Sequence, residues 1–353
     1  MQILLLPKPL FCLSRSKVTK RSKINIWGLK KMKAAVHENY GDQNAILVSS
    51  INNLVPKADE LLIKVHATTV NRTDCAFLTG EPFIMRFFAG YNKPKNPITG
   101  TDFAGTVQDT GSAVARFKAG DRIAGLNTDG LSSHAEYIVI SGKSAIAKIP
   151  DNLTFKVAVA ALEGAHYGYN FIKRISDIEG KSVLVNGATG AIGSAGLQFL
   201  KYHGAEVTAV CHSDQDEIVK NMGADETIHF NQTDFTHCGK QFDVVFDAVG
   251  KSTFGKCKKV LKPKGLYISS ELGPKAQNPF FALVSPILPG RTVKFPVPTD
   301  TPGSLEYILA RLEDDSFKPL IDRTYAFDEI KNAFKYVMKG QKIGNVVLMM
   351  ETD

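Results

Sequence analysis

The sequence predicts an α/β chain, with a doubly wound parallel sheet in its second half and a β-rich part before it. Three observations predict this. Ser182 to Cys211 reads SVLVNGATGAIGSAGLQFLKYHGAEVTAVC, which is strand, glycine turn, helix and strand in succession. From about residue 156 to 315, apolar β-branched runs alternate with helical stretches. From 32 to 155, short strand-like runs are broken by glycines and helical patterns are few.

Taken in order, residues 1–31 stand apart. They hold eight Lys or Arg and no acid. They read as a basic leader, either a transit peptide or upstream sequence read from too early a start. The second is favoured, because Met32 opens a strand running Lys33 to His37. The net charge is +8, from 43 basic and 35 acidic residues, and the leader accounts for all of it. The remainder is neutral, so the basicity speaks of the leader and not of a nucleic-acid surface. Nothing spans a membrane: the apolar run Phe280 to Leu288 is too short and contains Pro286. Five cysteines without a CxxC pair read as reduced thiols.

In the β-rich part, Glu60 to Asn71 reads as a long strand with Leu61, Ile63, Val65 and Ala67 on one face. Phe103–Val107, Arg122–Leu126, Ala135–Ile140 and Ala145–Ile149 are further short strands, punctuated by Gly111, Gly120 and Gly142.

The central unit follows. Val183 to Val185 is a buried-type strand. Gly187, Gly190 and Gly193 come at three-residue spacing, then Ile192, Ala195, Gly196, Phe199 and Leu200 make one face of a helix. Gly204 ends that helix before the strand Val207–Cys211. Glycines let the backbone approach a pyrophosphate, and the helix start offers it free N–H groups. The expected cofactor-binding turn is therefore Gly187, Ala188, Thr189, Gly190, Ala191, Ile192 and Gly193. Glu226–Phe230, Asp243–Val249, Gly265–Ser270 and Thr292–Pro296 continue the sheet, with a helix at Asp214–Met222. At the end, Asp328 is expected to cap a helix striped with Ile330, Ala333, Phe334, Val337 and Met338, and Asn345–Met350 is a last strand.

From Met32 to about Met350 these patterns resemble the medium-chain dehydrogenase/reductase superfamily, in its zinc-independent quinone oxidoreductase-like branch. The resemblance rests on MKAAVHENYG at the start, VNRTD at 70–74, PITGTDFAG at 97–105 and FKAGDRIAG at 117–125. HAEYIVI at 134–140, GATGAIG at 187–193, GADETIHF at 223–230 and DVVFDAVG at 243–250 extend it in the family's order. It implies a GroES-like β domain at 32–155, a Rossmann dinucleotide-binding domain at 156–315 and a return to the first domain at 316–353. Substrate is then expected in the cleft between the domains, and a homodimer across the strand Thr292–Pro296.

Zinc members of the superfamily hold a catalytic metal on Cys, His and Cys. The matching places here carry Asn71, Thr101 and Glu163, and the four-cysteine lobe is missing, so no metal is expected. His134 and His166 read as hydrogen-bonded single histidines. The second strand of the sheet ends at Cys211-His212-Ser213 without the acid that binds a ribose 2′-OH. NADP(H) is therefore favoured over NAD(H), with Ser213 and His212 at the 2′-phosphate and Asp214 opposing. Val249, Gly250 and Ser270 are placed along the cofactor at the carboxyl edge of the sheet.

Without a metal, the remaining chemistry is hydride transfer to a quinone or an α,β-unsaturated carbonyl, whose oxygen takes up the charge. Asn71 is the candidate donor to that oxygen, or else it satisfies local backbone groups. Asp74 contacts substrate or caps the following turn. Tyr91 or water supplies a proton, or Tyr91 only packs at the surface. Glu163 stays charged beside a cation or orients His166. The competing readings are a nicotinamide-binding sensor or scaffold with little catalysis, and a zinc-type alcohol dehydrogenase. The expected location is cytoplasmic, or mitochondrial if the leader is a transit peptide.

Overall fold

The computed structural model describes residues 31–52, 54–126 and 132–351; the expectations for residues 1–30 lie outside the described residues. The first half contains β1 (Lys31–Val36), β2 (Leu47–Asn52), β3 (Glu60–Val70), α1 (Arg72–Thr79), α2 (Met85–Ala89), β4 (Asp102–Thr110), β5 (Arg122–Leu126), β6 (Tyr137–Ser141), β7 (Ile146–Lys148) and α3 (Phe155–Ala160). The second half begins with α4 (Glu163–Ile172), β8 (Ser182–Asn186), α5 (Ala191–Tyr202), β9 (Glu206–Cys211), α6 (Asp216–Asn221), β10 (Glu226–His229), β11 (Phe242–Asp247) and α7 (Phe254–Cys257). It continues with β12 (Leu261–Ser269), α8 (Gln277–Val284), β13 (Thr292–Lys294), α9 (Thr301–Glu313), β14 (Ile321–Ala326), α10 (Ile330–Met338) and β15 (Asn345–Met349).

In the β-rich part a seven-stranded sheet runs β14-β15-β3-β4-β5-β7, with β6 also paired to β3. Alternate residues of these strands meet in one core: Leu61, Ile63 and Val65 pack with Phe103, Val107, Ile123, Ile138 and Ile146. The expected one-sided strand at Glu60 is two-sided. Leu62 is as buried as Leu61 and Ile63, so both faces of β3 are covered there. At its far end, Ala67, Ala104 and Ala124 leave room for α3, whose Ala158, Val159 and Ala160 fill the space.

The second sheet is parallel throughout, in the order β10-β9-β8-β11-β12-β13. Strand order reverses at β8, which has β9 on one side and β11 on the other. A crevice therefore opens beyond the carboxyl ends of β8 and β11, where ligands of such sheets bind. The edge strand β13 stops at Lys294, short of the expected Pro296. The chain then returns: β15 pairs antiparallel with β3, and β14 lies outside it. Gly344 bridges to Gly190, with its N–H donated to Thr189 O at 2.7 Å, so the returning chain is tied to the glycine turn. A side chain at Gly344 would collide with Leu320 O at 2.1 Å.

The expected cap at Asp328 is not made. The chain from Phe327 to Glu329 is a tight 3-10 turn, Glu329 Oε2 accepts from Ala326 N at 3.2 Å, and Asp328 pairs with Lys33 instead. The apolar stripe of α10 is as expected, with Ile330, Ala333, Phe334 and Val337 buried. Among the described residues, no helix is long and apolar enough to cross a membrane.

Candidate active site

The glycine turn sits at the mouth of the crevice. Gly187 has φ +80°, and a Cβ there would lie 2.9 Å from Val249 Cβ. A Cβ at Gly193 would lie 2.1 Å from Gly187 O, so the helix packs directly on the turn. Gly190 precedes the twelve-residue α5, and no side chain caps that helix. Its first N–H groups face the turn without a side-chain acceptor, as a pyrophosphate requires. The loop after β11 is folded on Asp247: Oδ1 accepts from Asn186 Nδ2 at 2.9 Å and from Gly250 N at 3.0 Å, and Oδ2 from Tyr267 OH at 2.7 Å. That holds Val249 against Gly187. Ser270 lies one residue past the end of β12. These residues fit a nicotinamide dinucleotide.

At the end of β9, His212 Nδ1 contacts Asp214 Oδ1 at 2.6 Å. Ser213 is held by Asn231, which accepts from Ser213 N at 3.1 Å and donates to Ser213 Oγ at 3.0 Å. Asn231 was not anticipated; its side chain reaches Ser213 only because β10 lies beside β9. Below it, Cys211, Asp216 and His229 bring their ligand-type atoms within 4.8 Å of one another. Asp216 is already committed to Lys220 at 2.6 Å, Thr227 at 2.5 Å and His229 at 2.8 Å, which knits α6 to β10.

Across the crevice stands α1. Asn71 and Asp74 form a reciprocal cap: Asp74 N donates to Asn71 Oδ1 and Asn71 N to Asp74 Oδ2, each at 2.9 Å. Asn71 Nδ2 donates to Thr101 Oγ1 at 2.9 Å. Asn71 is 5% exposed and Asp74 is fully buried, so of the two alternatives for Asp74 the structure displays the cap. Burial, with Asp102 nearby, holds the Asp74 carboxyl well above the usual carboxylate range. Burial also raises Asp102 to about 7, against the hydrogen bonds from Thr69 N at 2.8 Å and Thr69 Oγ1 at 2.7 Å.

Glu163, at the start of α4, accepts from Thr73 Oγ1 at 2.8 Å. Burial raises its carboxyl, and Lys342 and Arg72 oppose that rise. It does not orient His166, whose Nδ1 bonds Ser304 Oγ at 2.6 Å and whose Nε2 faces Pro298 O at 3.3 Å. Arg72 also reaches Glu271, after β12, at 3.8 Å and so spans the two parts of the chain. Tyr167 lies beside Glu163 and Thr73, its hydroxyl pushed up to about 12 mainly by burial. Arg72, Thr73, Glu163, Tyr167, Glu271 and Lys342 thus interact around the carboxyl of Glu163, and among them Glu163 alone is a candidate from the sequence. Arg72 and Thr73 stand inside VNRTD and were within reach; Tyr167, Glu271 and Lys342 carry no local signal. Tyr91 is elsewhere, on an exposed aromatic cluster with Phe83 and Phe87.

His134 is a buried structural group. It bonds Thr99 Oγ1 at 2.7 Å and Thr69 O at 2.8 Å, and burial pushes it down to about 4 from 6.5. The unfolded chain therefore takes up a proton at this residue that the native state refuses, so stability falls as pH drops from 6.5 to about 4. The His134→Gln variant keeps an amide donor for Thr69 O and removes the titration. Relative to wild type it should gain about 3 kcal/mol on going from pH 7 to pH 4, measured by denaturant unfolding. Parallel pH profiles of the two proteins would rule this out.

The family described as "Alcohol dehydrogenase GroES-like domain" matches residues 57–151, and that described as "Zinc-binding dehydrogenase" matches residues 222–348. The chain is 31% identical over 331 residues to the 2-methylene-furan-3-one reductase of Solanum lycopersicum, covering 90% of this chain and 79% of that protein. It is 30% identical over 335 residues to the chloroplastic NADPH-dependent alkenal/one oxidoreductase of Arabidopsis thaliana, covering 90% and 80%. Among solved structures, the quinone oxidoreductase from Coxiella burnetii superposes with a TM-score of 0.80 at 22% identity, covering 91% of this chain and all of that one. That last likeness concerns the fold.

Proposed function

The chain belongs to the quinone oxidoreductase-like branch of the medium-chain dehydrogenase/reductase superfamily, and we propose that it reduces small α,β-unsaturated carbonyls or quinones with NADPH and without zinc. One observation carries this reading: a glycine turn open to a pyrophosphate faces a cleft where an amide and a hydroxyl stand at two of the three metal-ligand places. Asn71 Nδ2 and Thr101 Oγ1 are bonded to each other, and Glu163 is engaged by Thr73. An amide and a threonine are poor partners for zinc, and one carboxylate does not hold it alone.

Gly187, Gly190 and Gly193 with the start of α5 would hold the dinucleotide, and Val249, Gly250 and Ser270 would flank it. When bound, the nicotinamide supplies a hydride, which the β-carbon of an enone accepts. The displaced electron pair then rests on the substrate's carbonyl oxygen. Asn71 is the proposed donor to that oxygen: one Nδ2 hydrogen is on Thr101, and the other has only Thr69 Oγ1 at 3.5 Å, too long to hold it. A proton then comes to the α-carbon from water or from Tyr167, a phenol that is protonated at neutral pH.

The test is NADPH oxidation with a panel of enones, quinones and ethanol, with and without a zinc chelator. Turnover of enones or quinones that the chelator leaves unchanged is expected; efficient ethanol oxidation, or loss of activity with chelator, overturns the reading. NADPH should bind more tightly than NADH, through Ser213 Oγ as held by Asn231. Asn231→Ala should narrow that preference roughly tenfold or more, about the worth of one hydrogen bond to a charged group. Equal Kd values for the two cofactors in wild type would refute the assignment. A homodimer is proposed through β13, an open edge that needs covering; a monomeric mass by light scattering would exclude it.

A further inference from the structure

Among the described residues, exposed large apolar side chains gather in two places outside the cleft. One is beside β13: Phe280, Leu283, Ile287 and Leu288, with no charged residue from 276 to 290. It adjoins an open strand edge and suits a second copy of the chain. The other is the excursion between α1 and β4, where Phe83, Ile84, Phe87, Phe88 and Tyr91 are 50–69% exposed. We infer that this second patch docks the protein on a lipid surface bearing anionic headgroups.

The patch is built, not frayed. Phe83 meets Phe87 and Tyr91 edge-on, each at 5.9 Å, and Phe87 meets Tyr91 at 6.3 Å, so the rings brace one another. Tyr40 anchors it from beneath: its hydroxyl donates to Gly90 O, and the Arg86 guanidinium lies 4.8 Å over its ring. Gly90 sets the turn, since φ is +127° and a Cβ would strike Lys93 O at 2.1 Å.

Charge selects the occupant. Between residues 80 and 96 stand Glu81, Arg86, Lys93 and Lys95, a surplus of two positive charges. Arg86 is drawn toward Glu81 at 4.0 Å. Lys93 and Lys95 are exposed and have no ion-pair partner among the described residues. The patch offers no strand edge for pairing. Exposed rings followed along the chain by two exposed lysines match the bilayer interface, where aromatic side chains enter the headgroup boundary and lysines meet phosphates. The excursion leaves from the end of α1 and returns to Thr101, so the docking face hangs from the candidate site at both ends. The docking itself does not depend on the reaction proposed above.

The test is co-sedimentation of the full chain with sucrose-loaded vesicles of phosphatidylcholine and phosphatidylserine at three to one, against phosphatidylcholine alone. The mixed vesicles should bind more tightly, and added salt should weaken that binding. Lys93→Glu with Lys95→Glu should lower affinity for the mixed vesicles by roughly 30-fold or more, the worth of two lysines at such a surface. Phe87→Ser with Phe88→Ser should lower affinity for both vesicles and leave turnover of a water-soluble enone unchanged. Binding that persists in both variants assigns the attraction to the basic leader and overturns the inference. A drop in oligomeric mass on Phe87→Ser with Phe88→Ser assigns the face to a second copy and overturns it too.

Discussion

Replacing Gly193 by alanine is expected to weaken NADPH binding by roughly 100-fold, measured by fluorescence titration. The new Cβ would stand 2.1 Å from Gly187 O and 2.8 Å from Gly187 C, and both are backbone atoms. No side chain can rotate away to relieve the contact, so either the turn or the start of α5 must move. The turn has little freedom to do so. Gly187 is pressed on Val249, whose loop is folded on Asp247, and Thr189 O is held by Gly344 N. Moving α5 outward takes its first N–H groups away from where a pyrophosphate would lie. Gly255 provides the control: its nearest neighbour would be Thr253 Oγ1 at 3.9 Å, so Gly255→Ala should bind as wild type does. An affinity for NADPH within twofold of wild type in Gly193→Ala would show that the turn does not approach the dinucleotide.

That prediction rests on the stretch most legible in the sequence, and the reason is physical. The unit from β8 to β9 is local: an apolar run, three glycines in seven residues and a 3.6-residue stripe all lie within one window. Strands without a buried face leave no such trace. In β2, Leu47 and Val48 are exposed, since that strand pairs with β1 alone. In β14 the sequence IDRTYA is mostly polar, because the strand sits at a sheet edge. Neither strand carries a sequence pattern of its own. At the C-terminal helix the acid chosen as cap was one residue early, since the 3-10 turn before α10 shifts the frame.

The site divides the same way. Asn71, Asp74, Thr101 and the turn glycines were found because each lies in a short pattern. The ring of Arg72, Thr73, Glu163, Tyr167, Glu271 and Lys342 draws on α1, α4, the loop after β12 and the returning chain, so its assembly is tertiary. Lys342 is the clearest case. In the sequence it is one lysine among many; its burial, which lowers its pKa, follows from Gly344 being pinned to Gly190 two residues later.

Asn71→Ala should lower turnover by roughly ten- to a thousand-fold while NADPH affinity stays within a few-fold of wild type. The residue has two roles to separate, because its Oδ1 caps α1 through Asp74 N while its Nδ2 is the proposed donor to the substrate oxygen. Alanine removes both, and loss of the cap alone costs about 1 kcal/mol of stability. Asn71→Ser separates them. A serine hydroxyl can still accept from Asp74 N, as N-cap serines do, but it is too short to replace the amide donor. If Asn71 holds the developing charge, the serine variant should keep the unfolding temperature of wild type and lose turnover nearly as far as alanine does. If Asn71 only caps the helix, serine should restore turnover together with stability. Wild-type turnover in either variant would move the search for the donor to Thr73, in the first turn of α1, and Tyr167, on α4 beside Glu163.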